Sequence, residues 1–167
     1  MIATHIARLG LALALAPPTI EPEALPFGPE AWAGVKRVEV RVTEKGQPVV
    51  YSGVPLRAVL GAKLRGGEEM ATPRGLADAV LVVHAADGYQ AAVSAAEVAM
   101  DATGEKYLLA LERDGVALGD GQGPAKLVVP GDPQHVRWVR MVKGVDLVRL
   151  PRLHPAPVPA PAPGPAP

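Results

Sequence analysis

Along its middle the chain alternates apolar and polar positions. Val38, Val40 and Val42 are separated by Glu39 and Arg41 and preceded by Arg37. A period of two in β-branched residues predicts a strand with one face in a core, its charged residues forming a solvated face. Glu44-Lys45-Gly46-Gln47 makes the turn, and Val49-Val50-Tyr51 returns as the partner strand. The period then changes. Gly53-Val54-Pro55 opens a helix, because proline suits the first helical turn. Leu56, Val59 and Leu60 share one helical face, Gly61 begins the helix end, and Arg65-Gly66-Gly67 is loop.

Residues 79–84 (AVLVVH) form an apolar run of strand length, the signature of a central strand buried on both faces. Asp87-Gly88 turns it, and residues 89–93 pair back. Ser94-Ala95-Ala96-Glu97 is a capping box for a short helix ending near Met100. Ser94 and Glu97 also have the make-up of a nucleophile and its base, but the cap uses both residues at that spacing. Residues 108–111 and 126–129 are two more strands, the second ended by Pro130, and residues 145–150 close the sheet. Many short strands, two small helices and glycine turns make a β-rich α+β domain over residues 35–150.

The two ends differ from this middle. Arg8 precedes an apolar run, residues 9–16, ending Ala-Leu-Ala. That is the layout of a short secretory signal over residues 1–16, and it predicts a periplasmic or secreted protein. The alternative is a helical N-terminus of a cytosolic protein. Residues 17–34 are proline-rich and read as a linker or an extended strap over the domain, packed down by Trp32. Residues 151–167 are a Pro-Ala tail that has nothing to bury and stays extended.

Composition removes several chemistries. Seventeen basic and seventeen acidic residues give zero formal net charge, so nothing points to nucleic acid. Aromatics are 4% of the chain, so the core must be Val, Leu and Ala. There is no cysteine, which excludes disulfides, iron–sulfur ligation, thiolate zinc sites and a cysteine nucleophile. His5, His84, His135 and His154 do not stand at metal-ligand spacing, so no metal is expected. His84 reads as a hydrogen-bonded residue of its strand. Residues 119–123 are glycine-rich, but no Gly-Lys-Ser/Thr follows, and a phosphate loop is excluded.

The candidate chemistry gathers between residues 108 and 142. Gln122, Lys126, Asp132, His135, Arg137, Trp138 and Arg140 all lie on or beside loops there. An aromatic face between two guanidinium groups suits a flat, anionic heterocycle. If residues 135–140 form a helical turn, Arg137 and Arg140 share a face three positions apart and make a phosphate or carboxylate site. The alternative is a solvated basic edge with Trp138 in the core. Tyr89, beside Asp87, is either a hydrogen-bonding group of the site or a packed ring.

A set of short motifs carries a family resemblance. They are Tyr51-Ser52-Gly53-Val54-Pro55-Leu56 with Leu60, Asp87-Gly88-Tyr89, Ala110 with Asp114-Gly115 and Leu118, Gly123-Pro124 with Leu127-Val128-Val129-Pro130-Gly131, and Arg137-Trp138-Val139-Arg140. In this order, over residues 35–150, they resemble the sulfite oxidase-type, or oxidoreductase molybdopterin-binding, domain. The resemblance implies a β-rich mixed-sheet or barrel-like domain with short helices, the glycine loop lying at the mouth of a pterin pocket. It implies a pterin or molybdopterin-like ligand, with Trp138 stacked on the ring. Arg137, Arg140 and Lys126 would hold the anionic end, with Gln122, His135 and Tyr89 at the edge.

The chain also departs from that family. Catalytic members hold molybdenum through a cysteine thiolate, and this chain has none. Their glycine-loop histidine is Gln122 here, and their Pro-Leu-Arg is Pro124-Ala125-Lys126. The resulting expectation is a non-catalytic periplasmic pterin-binding module that works with a partner, either a membrane receptor or another periplasmic protein. Two alternatives stand beside it: a molybdopterin-dependent oxidoreductase, and a structural interaction domain with a dead pocket.

Overall fold

The computed structural model describes residues 20–64 and 72–151. The expected signal segment, the loop at 65–67 and all but the first residue of the tail lie outside the described residues. The elements form two antiparallel sheets and two short helices. Among the described residues, no helix is long and apolar enough to cross a membrane.

The alternating valines form β2 (Val38–Glu44), which pairs with β3 (Gln47–Pro55) so that Val42 faces Val49 and Val40 faces Tyr51. Lys45 and Gly46 join them at φ 49° and 80°, the left-handed pair that a two-residue hairpin needs. Across β3 lies β6 (Leu108–Arg113), which continues through Asp114-Gly115 into β7 (Val116–Ala117). On its other side β6 also takes β8 (Lys126–Val128). A bridge from Leu127 to Val139 then ties down the loop between β8 and the last strand.

The second sheet runs in the order β1 (Glu23–Ala24), β9 (Val142–Arg149), β4 (Ala79–Ala85), β5 (Gln90–Ser94). β1 comes from the proline-rich strap, where sequence reasoning placed no strand. Leu25 behind it is buried, and Trp32 packs edge-on against Phe27 at 4.9 Å. The expectation for residues 79–84 needs correction. β4 is central, but its burial alternates, and only one of its faces is fully closed. The continuous apolar run therefore fills a buried face and a half-open one.

Helix α1 (Leu56–Leu64) begins one residue later than expected, since Gly53-Val54-Pro55 finish β3 and Pro55 is not in the first helical turn, and it does not end at Gly61. The glycine sits inside it with open space where a Cβ would be. Helix α2 (Ala95–Met100) is capped by Ser94, whose Oγ accepts from the Glu97 N–H at 3.3 Å. The core is mostly leucine, valine and alanine, with Tyr51 and Tyr107 the large rings fully inside it. Each leucine buried there stabilises the fold by about 2 kcal/mol.

Candidate functional site

Loops converge at one end of the β2–β3–β6 sheet around an open pocket of about 560 Å³. The β2–β3 turn supplies Glu44, Lys45 and Gln47, and the end of β6 supplies Arg113. The glycine loop supplies Gln122, β8 supplies Lys126, and the loop before β9 supplies His135 and Arg140. Four cations thus face one carboxylate.

That carboxylate is already committed. Glu44 Oε1 accepts from the Tyr51 hydroxyl at 2.8 Å and from Lys126 Nζ at 3.3 Å, while its Oε2 pairs with Arg113 at 3.2 Å. Burial pushes the Glu44 pKa up, but the Tyr51 hydrogen bond and the Lys126 and Arg113 charges outweigh it and hold the group below its usual range. Lys126 forms the floor. Its side chain is 8% exposed, and Nζ also donates to the Tyr51 hydroxyl at 2.8 Å. Desolvation lowers the Lys126 pKa, and the Glu44 charge recovers only part of the shift.

Trp138 lies beneath this floor, not in the pocket. It is 8% exposed, its Nε1 donates to the Val129 carbonyl at 2.8 Å, and Tyr51 meets it edge-on at 5.9 Å. Lys126 Nζ sits 5.0 Å from its ring centre. The His135 imidazole covers one face, stacked at 3.9 Å and 20°. His135 reaches that position through a left-handed backbone, φ 55°, its N–H donating to the Asp132 carbonyl and its own carbonyl accepting from the Trp138 N–H. His135, not Trp138, presents the aromatic surface to solvent.

The segment around Trp138 is a series of turns, so the helical condition for pairing Arg137 with Arg140 is not met. Arg140 lines the pocket, whereas Arg137 turns to Asp132. Asp132 Oδ2 accepts from the Arg137 backbone N–H at 2.9 Å and from its Nε at 3.3 Å. The backbone bond is the main cause that holds the Asp132 carboxyl below its usual range. Tyr89 is also outside the pocket, its hydroxyl donating to the Val136 carbonyl. Asp132, Arg137 and Tyr89 clamp the loop that carries His135 and Arg140. His84 lies on the half-open face of β4 and pairs with Asp146 at 2.8 Å.

Of the seven residues singled out from sequence, the structure gathers Gln122, Lys126, His135 and Arg140 in one pocket. Glu44, Lys45, Gln47 and Arg113 were missed. Locally they read as hairpin turn residues and strand ends, and nothing nearby in sequence links them to Lys126. The side chains of Lys45, Gln47, Gln122 and Arg140 make no hydrogen bond or ion pair among the described residues. They are available to a ligand.

The donors do not fit a molybdenum centre. The chain has no thiolate, and no three His, Asp or Glu groups cluster among the described residues. The side chains lining the pocket also lack a hydroxyl or thiol nucleophile. The arrangement can hold an anion and hydrogen-bond a polar edge. Comparisons of the chain with protein-family models, with curated proteins and with solved structures return no match.

Proposed function

We propose that the chain binds a small, flat organic anion of the pterin type at this pocket, without turnover of its own, and acts through a partner outside the cytoplasm. The observation that carries the reading is the excess of cations over carboxylates, with Arg140 and Lys45 unpaired beside an exposed imidazole. The ring of the ligand lies on His135, which Trp138 backs from below. Arg140 and Lys45 hold the anionic group, and Gln122 and Gln47 hydrogen-bond the edge. Lys126 stays with Glu44 and contributes its field. The resemblance of Arg137-Trp138-Val139-Arg140 and Gly123-Pro124 to the molybdopterin-binding domain supports a pterin over other flat anions. The layout of residues 1–16 supports export.

The test is a calorimetric titration of the full chain with oxidised and reduced pterins. Saturable binding is expected, weakened about tenfold or more by Arg140→Glu, since a charge-assisted contact contributes about 1.5–3 kcal/mol. Absence of binding by any pterin, or an affinity that Arg140→Glu leaves unchanged, refutes the assignment.

A further inference from the structure

β2 is the edge of its sheet. The outward direction of its backbone can be read from its neighbour. Val50 on β3 gives both its main-chain groups to Asp114: its N–H donates to Asp114 Oδ1 at 2.9 Å, and its carbonyl accepts from the Asp114 N–H at 2.8 Å. Val50 therefore faces away from β2, and the Arg41–Val50 pair is a non-hydrogen-bonded pair of the ladder. The N–H and C=O of Arg41 point out of the sheet, and by the period of two so do those of Glu39 and Thr43. All three side chains are exposed. Next to residues 41–43 a cleft of about 460 Å³ separates the strand from Pro130, Asp132, Pro133 and His135. No proline or bulge interrupts β2, the usual protection of a long edge.

We propose that this edge pairs with the same edge of a second copy of the chain, as an antiparallel two-fold contact centred on Val40. The charges and the valines together select that register: a two-fold at Val38 or Val42 would leave Val40 facing Lys36 or Glu44. A two-fold at Glu39 or Arg41 sets like charges opposite each other. Centred on Val40, Glu39 of one copy faces Arg41 of the other, twice, through pairs whose outward main-chain groups exchange hydrogen bonds. Neither Glu39 nor Arg41 has an ion-pair partner within its own chain among the described residues. On the opposite face the half-buried Val38 meets Val42 of the other copy. One register satisfies the backbone, the charges and the valines together, and the result is a closed dimer with a continuous sheet.

Sedimentation equilibrium of the full chain tests this. A reversible dimer is expected. Glu39→Arg and Arg41→Glu each weaken it at least about tenfold, because each sets like charges opposite one another twice. An equal mixture of the two variants regains the dimer, because every pair across that contact is again opposite in sign. Hydrogen exchange gives an independent readout: the Glu39 and Arg41 amides gain protection as concentration rises, while those of Val40 and Val42, bonded within the chain, are protected throughout. A parent that stays monomeric at its highest attainable concentration overturns the proposal. So does a dimer indifferent to both single variants, or a mixture that fails to associate. None of these outcomes bears on ligand binding at the pocket.

Discussion

Lys126 is a charge that the fold keeps inside without fully compensating. Its side chain is 8% exposed, and its ammonium depends on Glu44 and the Tyr51 hydroxyl. Removing the carboxylate leaves that charge stranded, and Glu44→Ala is expected to cost about 3 kcal/mol in urea denaturation. The double variant Glu44→Gln/Lys126→Met removes both charges at similar volume and is expected to recover most of the loss. A double variant as unstable as Glu44→Ala would mean that packing, not charge, sets the cost. His135 offers the opposite case, two small effects of opposite sign. Its left-handed backbone costs about 1–2 kcal/mol, and its stack on Trp138 returns about 0.5–1.5 kcal/mol. His135→Gly is therefore expected to change stability little while uncovering the indole. Acrylamide quenching of a Trp32→Phe background, in which Trp138 is the remaining tryptophan, should rise sharply. Unchanged quenching would show that the imidazole does not shield it.

The sheet that carries the pocket depends on one close approach between elements. A Cβ at Gly53 would stand 2.1 Å from the Leu109 carbonyl oxygen, where β3 shifts register against β6. Backbone cannot yield as a side-chain tip can, so Gly53→Ala is expected to cost about 3 kcal/mol, with a fall in Tm measured by calorimetry. A neutral substitution would mean that the bulge relaxes. Elements whose signal is local were legible in sequence: the valine alternation of β2, the Lys45-Gly46 and Asp114-Gly115 turns, and the Ser94 cap. β1 and β7, two residues each, exist only through their partners and have no pattern of their own. Gly61 reads as a stop, yet α1 runs through it, since a helical glycine costs only about 1 kcal/mol when packing holds the helix. The same limit divides the pocket. Gln122, Lys126, His135 and Arg140 are near one another in sequence and were found together. Glu44 and Arg113 reach Lys126 through strand pairing that no local window contains. Pairing Arg137 with Arg140 at i, i+3 needs a helix, and the segment is turns; the stacking role of Trp138 came from the resemblance, and its ring packs beneath His135 instead.

Over the whole molecule the charges sum to zero, yet the pH response is set by the few that the fold perturbs. Among the described residues three carboxyls are held below their ordinary range. Glu97 is lowered mainly by the Tyr107 hydrogen bond, and Asp132 mainly by the Arg137 backbone N–H. For Glu44, burial raises the pKa, but Tyr51 and Lys126 prevail. A depressed carboxyl stabilises the fold above its unfolded value, about 4.5 for the two glutamates and about 3.8 for Asp132, and that stabilisation is lost as pH falls through the folded value. The tyrosines act at the other end. Burial first, then the bond to Glu97, pushes Tyr107 up to about 12, and burial with Glu44 also raises Tyr51. A raised phenol contributes stability that is whole below about 10 and is lost as pH climbs through the folded value. Lys126 works against this loss, because a lowered ammonium gains stability with pH up to its unfolded value of about 10.5. Urea midpoints are therefore expected to form a plateau, falling below about pH 4.5 and again above about pH 10. Because Tyr107 donates to Glu97, one substitution touches both limbs. Tyr107→Phe removes a titrating phenol and releases Glu97 toward its ordinary value, so both the alkaline and the acid falls should become shallower relative to the plateau. A variant whose acid limb keeps the parent's slope would show that Glu97 owes its depression to Lys106 instead.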